Sequence, residues 1–181
     1  MKYYYIHGLN ATGKTTAKKL GNILETDVPV LSWNYLKTFD ENFNNILTIL
    51  EENQEDFILM GSSMGGYYAN ALANKLQVPC ALFNPVINPQ EVFQKYCNEI
   101  NLSEEVINSY KPVKNNIIPR LIVVGTKDEV LNPNKTIEYW KGKCNLKIVE
   151  EDHQIENLEQ FKEDILNLAT PILDEDFDWF Y

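Results

Sequence analysis

Short apolar runs alternate along this chain with longer stretches in which apolar residues recur every third or fourth position. The runs cover residues 3–6, 28–31, 57–60, 80–83, 121–124 and 146–149. They are nearly continuous rather than alternating, the pattern of strands covered on both faces of a parallel sheet. Between them, residues 15–24 place Ala17, Leu20 and Leu24 on one helical face. Phe43, Ile46, Leu47 and Leu50 form a second stripe, and Ala69, Leu72, Ala73 and Leu76 a third within residues 64–76. Near the end, Ile155, Leu158, Phe161, Ile165 and Leu168 repeat at the same spacing. Strand and helix in alternation predict βαβ units with right-handed crossovers, hence an α/β protein with a six-stranded, mainly parallel sheet.

One connection is longer than the others. Residues 84–119 carry no strand pattern and two weak helical ones, around 90–97 and 103–109, so this is the room for a small lid or insertion. Residues 171–181 mix acids with Phe177, Trp179, Phe180 and Tyr181, an acidic aromatic tail that either packs as a terminal element or hangs free as an acidic arm. A length of 181 residues suits one domain, taken as residues 1–170, with one sizeable core.

Charge narrows the function classes. Acids outnumber bases 26 to 16, leaving a net charge of -10, and Arg120 is the only arginine. Nucleic acid is therefore not an expected partner, because phosphate contacts need clustered Lys and Arg. No run reaches the length of a membrane span, and the stretch before His7 is too short for a signal-peptide core. The expectation is a soluble, cytoplasmic protein whose three separated cysteines, Cys80, Cys97 and Cys144, are buried reduced thiols.

The chemistry begins at Gly61-Ser62-Ser63-Met64-Gly65-Gly66. This GxSxG pattern follows a predicted strand and opens a predicted helix, the context that gives a nucleophile elbow its meaning. Gly61 and Gly65 let strand and helix approach, and Ser63 projects above the sheet. A serine hydroxyl needs a base. In this architecture the acid and then the histidine follow the serine along the chain. His153 satisfies that order, directly after the last predicted strand. Asp128 is the first carboxylate after residues 121–124 and is preferred over its neighbour Glu129. The expected oxyanion donors are the backbone N–H groups of Met64 and of Leu9, with His7 and Gly8 supporting the latter loop.

A rival motif occupies that same loop. Residues 8–15, Gly8-Leu9-Asn10-Ala11-Thr12-Gly13-Lys14-Thr15, match the phosphate-binding pattern GxxxxGK[ST] between a strand and a helix. Against it, residues 57–60 and 80–83 lead into no aspartate that would hold Mg²⁺. A nucleotide site would also leave Ser63, Asp128 and His153 unexplained.

His7-Gly8-Leu9-Asn10, the elbow with its following Tyr67-Tyr68-Ala69, Asn84-Pro85, Asp128-Glu129-Val130-Leu131 and His153 together resemble the YqiA-like esterases, small bacterial α/β-hydrolases of the family UPF0227. The resemblance runs over roughly residues 2–168. It implies a three-layer α/β-hydrolase fold with strand order 2-1-3-4-5-6 and little or no cap. It also implies carboxylesterase activity on short acyl esters through Ser63, Asp128 and His153. No metal or organic cofactor is called for, and the expected partner is a small-molecule ester, with a thioester or peptide bond as variants. Where members carry a loop of the form HGFNSS, this chain has residues 7–12 running into Gly13-Lys14-Thr15. Two rivals remain: a nucleotide-binding protein using residues 8–15, and a catalytically silent binding module on the same fold.

Overall fold

The computed structural model describes residues 1–100 and 102–169, side chains 96–100 excepted. Its strands are β1 (Lys2–Ile6), β2 (Val30–Leu31), β3 (Phe57–Ser62), β4 (Cys80–Phe83), β5 (Arg120–Gly125) and β6 (Asn145–Val149). They form one sheet ordered β2-β1-β3-β4-β5-β6, and every neighbouring pair is parallel. The chain starts one strand in from an edge, moves out to that edge once, then returns past β1 and proceeds to the far edge. The carboxyl ends of β1 and β3 therefore lie side by side, with β4, β5 and β6 following in order.

Both faces of β1, β3, β4 and β5 are covered, which explains their continuous apolar runs, whereas the edge strand β6 is only half-buried and leaves Ile148 exposed. Because successive strand residues point to opposite faces, each strand feeds two cores. On one face Tyr4, Ile6, Leu59, Leu82 and Ile122 pack with α2 (Phe39–Glu51), α3 (Met64–Leu76) and their neighbours. On the other, Tyr5, Met60, Phe83 and Val123 pack with α1 (Lys14–Leu24) and the C-terminal segment around Phe161 and Ile165. Helix α3 is buried from Met64 to Asn74, so its small residues let it lie close against the sheet's centre.

The long connection holds α4 (Pro89–Ile100) and α5 (Glu104–Ser109). Phe93, Val106 and Tyr110 sit in the same core as α3, and the Tyr110 and Tyr68 hydroxyls lie 2.6 Å apart. This stretch therefore joins the helical layer over the sheet. Residues 171–181 lie outside the described residues.

Two elements depart from the periodic reading. Helix α6 (Pro133–Trp140) has a weak stripe but a clear start: Asn132 accepts from the Lys135 N–H, and Pro133 sits at the first turn. The stripe 155–168 is not one helix. Its apolar residues are buried, but regular structure begins only with a 3₁₀ turn (Glu159–Phe161) and α7 (Lys162–Asn167). Upstream, the Glu151 carboxylate takes the N–H groups of Glu156 and Asn157, and the Glu151 carbonyl takes that of Lys127. The periodicity there records burial, while the backbone is committed elsewhere.

Burial pushes the Cys80 thiol up to about 11 and the Cys144 thiol up to about 12. Both are free; Cys80 is buried and Cys144 half-buried, while the Cys97 side chain lies outside the described residues. Among the described residues, no helix is long and apolar enough to cross a membrane.

Candidate active site

Strand β3 runs into α3 with no intervening loop, so one residue makes the whole turn. That residue is Ser63, at φ 53° and ψ -124°. A non-glycine residue there is strained, and such strain persists only where surroundings over-determine it. The surroundings are main chain. The Ser63 N–H donates to the Phe83 carbonyl at 3.0 Å, and the Ser63 carbonyl accepts from Val86 at 3.1 Å and Tyr67 at 3.2 Å. The flanking glycines are steric requirements. A Cβ at Gly65 would collide with the carbonyls of Ile6 and His7, and one at Gly61 with the Gly65 carbonyl.

The acid and the histidine meet across 25 residues. His153 Nδ1 and Asp128 Oδ2 are 2.9 Å apart. The aspartate's other oxygen accepts the N–H groups of Val130 and Leu131, each at 2.8 Å. Its side chain is 2% exposed, against 16% for the histidine. With Oδ1 saturated by donors, Oδ2 is left for the ring, which makes Nδ1 the protonated nitrogen and Nε2 the basic one. Glu129 lies beside this pair in another role: its carboxylate accepts the His153 backbone N–H at 3.2 Å.

The loop after β1 completes the surroundings. His7 is buried and stacked on Trp33, with ring centroids 6.0 Å apart. Its Nδ1–H donates to the Gly8 carbonyl at 2.8 Å, and Trp33 Nε1 donates to the His7 carbonyl at 2.8 Å. His7 thus anchors this loop. Gly8 leaves space beside the nucleophile, since a Cβ there would touch the Ser63 Cβ at 3.4 Å. Among the described residues, neither the Leu9 nor the Met64 N–H is spent on a protein acceptor, and Met64 is the first residue of α3, where the helix offers none.

Ser63, His153, Gly8 and Leu9 all line one cavity of about 390 Å³. Ser63 and His153 both line it with no hydrogen bond between their side chains, a common condition before substrate draws such groups together. The cavity's other walls are Thr12 of the loop after β1, Thr15 and Thr16 at the start of α1, and the chain after His153. At its base the Tyr5 and Ser62 hydroxyls lie 2.5 Å apart, and burial pushes the Tyr5 phenol up. Lys14 is not part of this cavity. It is exposed and lines a separate groove with Lys18, Asn22 and Asp27. Arg120 is buried at the start of β5, the opposite edge of the sheet from the cavity. Among the described residues there is no cluster of metal-ligating side chains.

The sequence reading assigned Asn84 no role. It is 1% exposed with φ 43°, and its side chain reaches Gly125, Asp152 and His153. The signal was an asparagine just past a strand, a position where Asn tolerates left-handed backbone, but nothing local names its partners.

Solved structures share this architecture. Est1E from Butyrivibrio proteoclasticus superposes with a TM-score of 0.70 at 16% identity, covering 92% of this chain and 87% of that one. The Pyrococcus furiosus esterase PF2001 gives 0.66 at 13% identity, over 92% and 80%. The alpha/beta hydrolase domain-containing protein 10 from mouse gives 0.64 at 14% identity, over 92% and 87%. At such identities the likeness establishes the α/β-hydrolase fold. The match at the level of sequence is to the family model described as "Uncharacterised protein family (UPF0227)", over residues 2–170. The chain is therefore a member of UPF0227, built on an α/β-hydrolase fold.

Proposed function

We propose that this protein is a serine hydrolase of the carboxylesterase type, cleaving short acyl esters through Ser63, His153 and Asp128. The observation that carries the reading is the 2.9 Å contact between a buried, otherwise saturated Asp128 and His153 Nδ1, opening on the cavity that holds Ser63. The strained elbow adds to it. Structural neighbours whose names include esterases and hydrolases are consistent with it.

Ser63 Oγ attacks the ester carbonyl carbon while His153 Nε2 takes its proton. Asp128 holds the imidazolium by its Nδ1–H. The carbonyl oxygen becomes an oxyanion held by the Leu9 and Met64 N–H groups. The C–O bond to the alcohol then breaks, and Nε2 returns the proton to the leaving oxygen. Water repeats the sequence on the acyl-enzyme and releases the acid. Cytoplasmic location and a single domain over 1–170 remain part of this proposal.

The nucleotide reading has less support. Lys14 would have to reach a phosphate held by its own loop, yet it lines a different groove. The sole arginine is buried at the far edge.

The test is intact mass after treatment with a fluorophosphonate. One adduct on the wild type, absent from Ser63→Ala and slow to form on His153→Ala, is the expected result. No adduct on the wild type would remove the hydrolase reading.

A further inference from the structure

The three candidate catalytic residues come from three different strand ends, and only distant contacts can set their mutual distance. One short segment touches Ser63, His153 and the strand end that leads to Asp128. At its first residue, the Phe83 carbonyl accepts the Ser63 N–H; at its last, the Val86 N–H donates to the Ser63 carbonyl. Between them stands Asn84. Its backbone N–H donates to the Val123 carbonyl at 2.8 Å, tying β4 to β5. Its side-chain oxygen accepts the Gly125 N–H at 2.8 Å, three residues before Asp128. Its amide nitrogen donates to the Asp152 carbonyl at 2.9 Å and the His153 carbonyl at 3.0 Å.

We propose that Asn84 is a positioning residue that sets the His153 imidazole against Ser63 by holding the main chain of the histidine loop. The inference rests on the hydrolase reading and adds a residue to it.

The chemistry of the side chain fits the task. The amide must accept once and donate twice, to groups on two different loops. Asparagine does this with two side-chain torsions, so the brace is stiff. Its left-handed backbone turns the side chain out of the strand direction and over β5. There the histidine loop lies directly on the sheet: a Cβ at Gly125 would strike the carbonyls of Glu151 and Asp152. Among the described residues, the ring itself is held only at Nδ1, by Asp128. One hydrogen bond fixes a ring's plane poorly, so the main-chain anchors around its Cα must fix the rest: the two carbonyls held by Asn84 and the N–H held by Glu129. An error near 1 Å at such a site costs about 10²-fold in rate.

A purely structural role makes a different prediction, and a double-variant cycle separates the two. Asn84→Gly keeps the positive φ and the backbone N–H but removes the amide. Asn84→Asp keeps the left-handed tolerance and the acceptor for Gly125, and sets a carboxylate against two carbonyl oxygens. Fluorophosphonate inactivation rates are measured for each, with His153 present and in a His153→Ala background, on protein shown to be folded by near-UV circular dichroism. The expected result is a fall of about 10²-fold with His153 present. In the His153→Ala background the expected change is under about twofold, because a residue that acts through His153 has nothing left to position. The chain has two histidines. In ¹⁵N-histidine spectra the His153 ring signals should move in both variants while those of His7 stay.

Equal slowing in both backgrounds would overturn the proposal, as would no slowing in either variant. Unmoved His153 ring signals would overturn it as well. If the wild type forms no adduct, the hydrolase reading fails by itself and the ring signals still decide whether Asn84 places His153. If Asn84→Gly does not fold, Asn84→Asp carries the test.

Discussion

Two junctions in this protein join a strand to a helix through glycines, and they are built in opposite ways. At the end of β3 the turn is a single residue. Ser63 takes the whole change of direction, and Gly65 is pressed against the carbonyls at the end of β1. At the end of β1 the change is spread from His7 to Gly13, and α1 begins only at Lys14. The first junction stores strain and aims a hydroxyl at the cavity. The second places its left-handed backbone at Asn10 and Gly13, residue types that tolerate it, and it presents backbone N–H groups and small side chains along the cavity's wall. Both match well-known glycine motifs by letter. A motif acquires chemistry from what packs behind it: the elbow is clamped by Phe83, Val86 and β1, whereas the lysine of the phosphate-like loop projects into another groove.

The contrast can be broken most forcefully at the elbow. Ser63→Ala should lower ester turnover by roughly 10⁶-fold and abolish the fluorophosphonate adduct, with the fold unchanged by near-UV circular dichroism. Retained turnover would mean that Ser63 is not the nucleophile. Next in size is the acid. Asp128→Asn should cost about 10⁴-fold in kcat, because an amide facing Nδ1 stabilises the wrong tautomer. Glu129→Gln should stay within about 0.5 kcal/mol in stability and leave kcat close to wild type. The reverse order would exchange the roles of the two carboxylates.

The steric half of the contrast is measured by Gly65→Ala. The added methyl meets backbone carbonyls that cannot swing aside, so urea unfolding should show a loss at or above about 3 kcal/mol. A smaller loss would mean that β1 and α3 separate more easily than their packing suggests. The smallest effect is expected at the other junction. Lys14→Ala, at an exposed site, should change stability by less than about 0.5 kcal/mol. It should leave ester turnover unaltered, and calorimetry should detect no Mg²⁺-nucleotide binding to lose. Nucleotide binding abolished by this substitution would restore the rival reading.

Much of this was readable in the chain itself. Continuous apolar runs revealed the central strands, which are buried on both faces, and alanine at helical spacing marked α3, because apolar content and periodicity are local properties. The elbow was legible for the same reason, since small residues on both sides of a serine describe a turn that needs them. Helix α6 was missed because its signal lies in its cap, Asn132-Pro133, rather than in a stripe. The stretch 155–168 misled because its residues are buried at helical intervals along a chain whose first N–H groups are taken by the Glu151 carboxylate just upstream rather than by a helix.

The sequence by itself determined the strands, most helices, the strained serine and the order in which candidate acid and base follow it. These depend on dihedral preference and on which residues avoid water, and neighbours along the chain suffice to express them. Only the tertiary structure decided that Asp128 rather than Glu129 faces the His153 ring, that Lys14 turns away from the cavity, and that Asn84 grips the histidine loop from 69 residues away. Those outcomes rest on single hydrogen bonds between distant segments. Their partners are chosen by how the strand ends line up once the sheet has formed, and no local pattern encodes that alignment.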